Sequence, residues 1–299
     1  MGKQTLIESN EVFIVDYNKI ATIQPNQEPS NEVQKIANDL REAFLHRKAV
    51  FLINHTVSIE DENKIYSLIQ KFFALPMSIK EKYKTKSNAD YHGYISGQSE
   101  RFNKEDILLE IRETFNIMGG NRYLPDKEIP EFSKDIYTAT EKLISLANIF
   151  LQLFAISLNL RPDYFLPYHE NIFNHVLNSS TLRIVSYPPI NESSHSDILR
   201  CGEHSDYGTF SFIMQDSEGG LEMVGENGEW RRVGHLPGAI LVLIADLFEV
   251  LTSGKYKAAI HRVIIPEEEN VRIRSRYSIV FFLVTDHMSV IKPIFPTPG

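Results

Sequence analysis

Apolar positions in the first half of the chain recur at three- and four-residue spacing, and in the second half they cluster in short runs or alternate. Residues 31–47 set Val33, Ile36, Ala37, Leu40, Phe44 and Leu45 on one stripe behind a Ser30-Asn31 cap, which predicts an amphipathic helix. Residues 58–73 open with Ser58-x-x-Asp61, a capping-box pattern, and carry Ile65, Leu68, Ile69, Phe72 and Phe73 on the face to be buried. A third helix is expected from about Ser133 to Asn159, with Leu143, Ile144, Ala147, Phe150 and Leu151 apolar, stopping ahead of Pro162. Short strands are expected at 11–15 and 50–53.

Beyond residue 180 the pattern is that of strands: 181–187, 208–214, 221–224, 230–233, 239–244, 257–265 and 276–284. Each is short, β-branched or aromatic, and bounded by Gly, Pro, Asn or Ser. The tract 225–229 reads as a hairpin turn with Asn227-Gly228 supplying positive φ. Many short strands with Gly-rich turns predict a sandwich or jelly roll, and the absence of repeats or linkers predicts one unit.

Composition changes this picture little. The 299 residues are 42% apolar and 23% charged, enough for a sizeable core. A formal charge of −8 argues against nucleic-acid binding, which needs a basic face. One cysteine, Cys201, excludes an intrachain disulfide and a cysteine-only metal site. The start MGKQTLIESNEVF has no signal-peptide core, and Leu6 stands where a myristoylation motif needs Ser or Thr. The apolar runs 239–245 and 279–284 are strand-sized, too short to span a bilayer. A cytoplasmic protein without a membrane partner is expected, as a monomer.

Ten histidines narrow to a few candidates. His204-Ser205-Asp206 is the strongest local signal: on an extended strand, residues two apart share a face, so imidazole and carboxylate meet one ion. His261, in the strand-like run 257–265, supplies a third ligand from a distance. Two His and one carboxylate leave the rest of a metal's coordination open, the arrangement of iron(II) oxygenases. His195-Ser196-Asp197 repeats the spacing, but in a polar tract without apolar alternation. For any such pair the plainer reading is a surface accident, and for His261 a core histidine. His169-Glu170, after Pro167-Tyr168, reads as structural.

Arg276-Tyr277-Ser278 begins the last strand, so Arg276 and Ser278 share a face with Val280 and Phe282. Guanidinium and hydroxyl side by side make a carboxylate clamp, to which Tyr187, ending the strand 181–187, adds a phenol. The plainer reading of Arg-x-Ser is an ion pair on a sheet edge.

These pieces fall in one order. Phe51-Leu-Ile-Asn-His55, Phe72-Phe-Ala-Leu-Pro76 with Lys80-Glu-Lys-Tyr83, Gly93-Tyr94 and Glu110-Ile-Arg-Glu-Thr-Phe115 precede Gly202-Glu-His-Ser-Asp-Tyr-Gly208, Gly219-Gly-Leu221, Gly228-Glu-Trp230, Asp246-Leu247, His261-Arg-Val263 and Arg276-Tyr-Ser278. Over residues 10–293 the chain resembles the iron(II)/2-oxoglutarate-dependent dioxygenases, in the branch that holds isopenicillin N synthase. It departs from that pattern at Thr56 for Gly, Val185 for Asn, Ala245 for Gly, and in lacking a C-terminal helix over the pocket.

The resemblance implies a mainly β fold with α, a double-stranded β-helix (jelly roll) core at 171–299 and a helix-rich region at 1–170, together one catalytic domain. It implies iron(II) on His204, Asp206 and His261, with 2-oxoglutarate as cosubstrate on Arg276, Ser278 and Tyr187, and O2. It gives the His195 pair no place. The implied reaction releases succinate and CO2 and hydroxylates, desaturates or cyclises a small or medium metabolite, with no separate general base. Arg183, sharing a face with Val185 and Tyr187, is a candidate for meeting an anionic substrate, or else one half of an internal ion pair. Tyr94 is a substrate-pocket candidate, or else packing. The competing expectations are a same-fold iron(II) oxidase that does not use 2-oxoglutarate, a non-catalytic jelly-roll module, and a zinc hydrolase.

Overall fold

The strands that are apolar at nearly every position are so because both of their faces are covered. The computed structural model describes residues 6–7, 13–20, 23, 28–86, 91–96, 109–120, 122–190, 198–267, 271 and 273–295. Eight strands form one sheet, in the order Phe13–Asp16, Ala49–Ile53, Ile240–Ile244, Phe210–Gln215, Arg276–Leu283, Thr181–Tyr187, Glu113–Met118 and Gly93–Ile95. Only its first pair is parallel. A second sheet runs Leu6–Ile7, Trp230–Val233, Leu221–Val224, His261–Val263 and Cys201–His204.

Side-chain parity sends alternate residues of the large sheet into two different cores. Leu182 and Ile184, Phe210 and Phe212, Ile240 and Val242, and Ile279 and Phe281 join the larger core against the helices. Val185, Tyr187, Ile213, Leu241 and Leu243 face the other way and meet Cys201, Leu221, Met223 and Val263 of the small sheet. Two facing sheets with helices on the outer side of one make a jelly roll with a helical flank, as expected.

The helices form where the sequence marks them. Asn31–His46 is capped by the Ser30 hydroxyl, which accepts from the Val33 amide at 3.3 Å. Ile59–Phe73 carries the full capping box between Ser58 and Asp61. Phe132–Ser157 is long and apolar enough to cross a membrane, but 61% of that apolar window is buried in the protein. Its Phe154 ring lies 4.8 Å from Phe248 of the short helix Asp246–Leu251 and 5.1 Å from Phe44 of the first helix, joining three helices.

Several expectations need correction. The predicted 257–265 strand shrinks to His261–Val263, and the 208–214 strand begins only at Phe210. In the 225–229 turn only Gly228 has positive φ, +76°. The strands Gly93–Ile95, Glu113–Met118 and Cys201–His204 carry no apolar run long enough to announce them. The large sheet crosses residue 170: four of its eight strands come from the helix-rich first part. Past the last strand, Ile291, Ile294 and Phe295 pack against the larger core.

His169 links the segment after the long helix to the loop preceding Phe210, and both its ring nitrogens are bonded. Nδ1 donates to the Phe165 carbonyl at 2.8 Å, so Nε2 accepts from the Thr209 hydroxyl, also at 2.8 Å. Burial brings its pKa down to about 4. The folded protein therefore holds it neutral while the unfolded chain protonates it near 6.5. This stabilisation is complete above about pH 6.5 and is lost as pH falls toward 4, at up to about 1.4 kcal/mol per pH unit. His169→Gln should flatten that part of the stability–pH curve measured by urea unfolding. Phe154→Ala should cost about 3–5 kcal/mol in the same assay at neutral pH.

Candidate metal centre

The two histidines meet because of strand register. His204, last residue of Cys201–His204, pairs directly with His261, first residue of His261–Val263. Their rings lie 4.2 Å apart. Each Nδ1 lies 2.9 Å from a backbone carbonyl, Gly202 for His204 and Ala259 for His261. A carbonyl only accepts, so each Nδ1 is the protonated nitrogen and each Nε2 presents a lone pair. The two Nε2 atoms stand 3.7 Å and 3.9 Å from Asp206 Oδ1. One ligand atom from each of the three residues lies within 4.8 Å of the others. Burial lowers the His261 pKa, with His204 acting the same way and Asp206 opposing, which favours the neutral ring a metal needs.

Asp206 does not extend the His204 strand, contrary to the sequence expectation. It lies in the loop 205–209 between two strands. That loop is held at both ends. The Thr209 amide donates to the Leu283 carbonyl at 2.7 Å, and the Asp246 amide to the Asp206 carbonyl at 2.8 Å. At Gly208 a Cβ would stand 2.1 Å from the Leu283 carbonyl, so no other residue permits this approach. The Ser211 hydroxyl donates to Asp206 Oδ2 at 2.5 Å, fixing the carboxylate.

The three groups line a small cavity between the sheets, open at its mouth. Its walls include Arg112, Arg183, Tyr187, Arg276, Ser278, Val280 and Phe282. Arg276 is 1% exposed. Its Nη2 donates to Gln215 Oε1 at 3.0 Å and its plane stands 4.9 Å from the Tyr187 ring. Nε and Nη1 are buried without a hydrogen-bond partner. Such a guanidinium is a seat prepared for an anion. Ser278 and Tyr187 flank it in the cavity wall. Burial raises the Tyr187 pKa, so the phenol keeps its proton and can donate. Arg200 is also fully buried, and burial together with the Arg276 charge brings its pKa down to about 10.

Tyr94 stands apart. It pairs with Phe115, which pairs with Ile184, so its ring points into the larger core, where its hydroxyl donates to Glu113 at 2.9 Å. The His195-Asp197 pair lies outside the described residues. Ser211, Gln215, Arg112 and Asn116 were not singled out from sequence. The period-2 signal was present in Ser211, Ile213 and Gln215, but polar side chains inside a buried strand hide it.

A model of the 2OG-Fe(II) oxygenase superfamily matches residues 174–285, and one described as the non-haem dioxygenase in morphine synthesis N-terminal matches residues 14–133. The 2-oxoglutarate-dependent dioxygenase htyE of Aspergillus rugulosus is 30% identical over 294 residues, covering 88% of this chain and 86% of that protein. The 2-oxoglutarate-dependent dioxygenase citB of Monascus ruber is 28% identical over 279 residues, covering 86% and 80%. Among solved structures, a full-length Neurospora crassa protein in complex with alpha-KG shares the fold, with TM-score 0.84 at 20% identity over 96% of this chain and 89% of that one.

Removing the support of Asp206 should loosen the centre without dismantling it. Ser211→Ala should weaken binding of a divalent transition metal by about 10–100-fold, read by anaerobic calorimetric titration.

Proposed function

This chain belongs to the 2OG-Fe(II) oxygenase superfamily, and from that premise we propose that His204, Asp206 and His261 hold iron(II) while Arg276, Ser278 and Tyr187 hold the far carboxylate of 2-oxoglutarate. The residues present fit both groups. Two neutral imidazoles and one carboxylate are the donor set for iron(II) with open positions. The unpartnered Nε and Nη1 of Arg276 suit a carboxylate, and they are the single observation that most supports a 2-oxoglutarate-using enzyme over a plain metal site. As a member of this superfamily the protein is an oxidoreductase that uses iron(II), 2-oxoglutarate and O2 on a small-molecule substrate.

Bound iron(II) with O2 supplies the redox chemistry, coupling decarboxylation of 2-oxoglutarate to succinate and CO2 with oxidation of the substrate. The protein's part is placement. Ser211 aims the Asp206 carboxylate, and the Gly202 and Ala259 carbonyls aim the imidazoles. Val185, Ile213 and Val280 line the cavity with apolar surface that displaces water. Val185 stands where the family pattern often has Asn, and a valine offers the cosubstrate no side-chain hydrogen bond. No side chain is needed as a general base.

The chain acts as one catalytic unit, since the large sheet that walls the cavity draws strands from both parts. A cytosolic monomer completes the reading, supported by its one free, buried thiol and the charge of −8.

Anaerobic protein with iron(II) and 2-oxoglutarate should develop a weak visible charge-transfer band, and with O2 and a metabolite extract should release succinate. Asp206→Ala should abolish both. Arg276→Gln should keep the metal but raise the 2-oxoglutarate concentration for half-saturation by about 10–100-fold, the loss of a charge-assisted bond. Full turnover in either variant, or turnover without succinate, would sink this assignment.

A further inference from the structure

Within the field of Arg276 the protein buries a second guanidinium that the assignment above leaves without a task. Arg200 is fully buried, immediately before Cys201 of the small sheet. Its Nη2 donates to the Arg274 carbonyl at 3.3 Å, and its Nε and Nη1 have no hydrogen-bond partner. Burial, and after it the Arg276 charge, lower its pKa to about 10, so at neutral pH it remains a cation. An interior guanidinium with two unpartnered nitrogens is costly, and an anion relieves that cost.

Its surroundings put it at the cosubstrate end of the cavity. A Cβ at Gly220 would stand 3.9 Å from Arg200 Nη1 and 3.7 Å from Val263 Cγ1. Val263 pairs with Cys201 on one side and Leu221 on the other, and all three line the cavity. The groups that act on Arg200 through charge begin with Arg276 and Tyr187, both assigned above to the far carboxylate of 2-oxoglutarate. Asp216 and Glu218 act on it more weakly, and both are engaged elsewhere. Asp216 Oδ2 accepts from the Tyr277 amide at 2.5 Å and Oδ1 from the Glu218 amide at 3.0 Å. Glu218 Oε2 lies 2.9 Å from Arg274 Nε. Among the described residues, neither Arg200 nor Arg276 is hydrogen-bonded to a carboxylate.

We propose that Arg200 and Arg276 share one counter-ion, the far carboxylate of 2-oxoglutarate, and that Arg200 is a second positioning residue for this cosubstrate. The proposal rests on the iron–2-oxoglutarate assignment above. A carboxylate offers two oxygens and about four lone pairs, more than one guanidinium consumes. In the protein interior a charge also acts across several ångströms without contact. The unfilled seat sets two like charges against each other. A keto acid with a far carboxylate relieves that repulsion, and one without it does not. Arg200 orients the cosubstrate and takes no part in bond breaking.

The test compares 2-oxoglutarate with 2-oxopentanoate, the same carbon chain ending in a methyl group, on anaerobic protein with iron(II). Dissociation constants are read from the charge-transfer band. Arg200→Gln should weaken 2-oxoglutarate by about 10–100-fold and leave 2-oxopentanoate unchanged. In an Arg276→Gln background the same change should cost far less, because the two act on one carboxylate. Arg200→Lys should recover part of the loss. A crystal structure of the parent with iron(II) and 2-oxoglutarate depends on no variant folding. It should show Arg200 bonded to the far carboxylate, directly or through one water. Unchanged 2-oxoglutarate affinity, equal weakening of both keto acids, equal costs in both backgrounds, or an Arg200 satisfied by protein acceptors alone in that crystal would overturn the proposal. Failure of the parent protein to form the band is a different result: it removes the iron–2-oxoglutarate assignment, and the shared counter-ion with it.

Discussion

The register between two short strands decides the centre. His204 and His261 face each other across a ladder at the edge of the small sheet, and their Nδ1–H groups are both consumed by carbonyls two residues back in their own chain. Each imidazole is thereby turned by its own backbone, and the two remaining lone pairs converge. A slip of one residue in this ladder would turn one ring to the opposite face. Asp206 adds the negative charge only because the loop after His204 is tied to a strand of the other sheet, so both sheets must be in place before the third donor arrives.

The large sheet makes that possible by being covered on both sides. Its outer face is fastened by phenylalanines to the long helix, and its inner face is left free to carry mixed chemistry: Arg183 and Asn116 in one row, Ser278 and Gln215 in the next, Tyr187 and Arg276 beyond. Buried arginines are costly unless bonded or offered an anion. Here the buried Arg112 and Arg276 and the half-buried Arg183 meet specific partners, Glu110 and Cys201 for Arg112, Asn116 for Arg183, and Gln215 with the Tyr187 ring for Arg276.

Much of this was legible in the sequence. Helix starts at Ser30 and Ser58 follow from capping chemistry that acts within four residues, and parity alone put Arg276, Ser278, Val280 and Phe282 on one wall and Arg183, Val185 and Tyr187 beside them. What failed was local inference applied to contacts set from afar. Treating His204-Ser205-Asp206 as one strand put the two side chains near each other for the wrong geometric reason, because Asp206 reaches the cluster from a loop. The strand Glu113–Met118 escaped notice because Thr114 and Asn116, buried against the inner face, break the apolar pattern. Tyr94 drew attention by its neighbours in a motif, yet its pairing partner Phe115 commits it to the helix side. Ser211 and Gln215 matter through partners the sequence does not place nearby.

Arg276 and Phe282 share one strand, and that fixes a length. Ser278 and Val280 lie between them on the same face by pleat parity, so the spacing from the guanidinium to the wall nearest the metal cluster is set by the backbone of a single ribbon. Exchanging one side chain along it changes what the wall offers without moving either end.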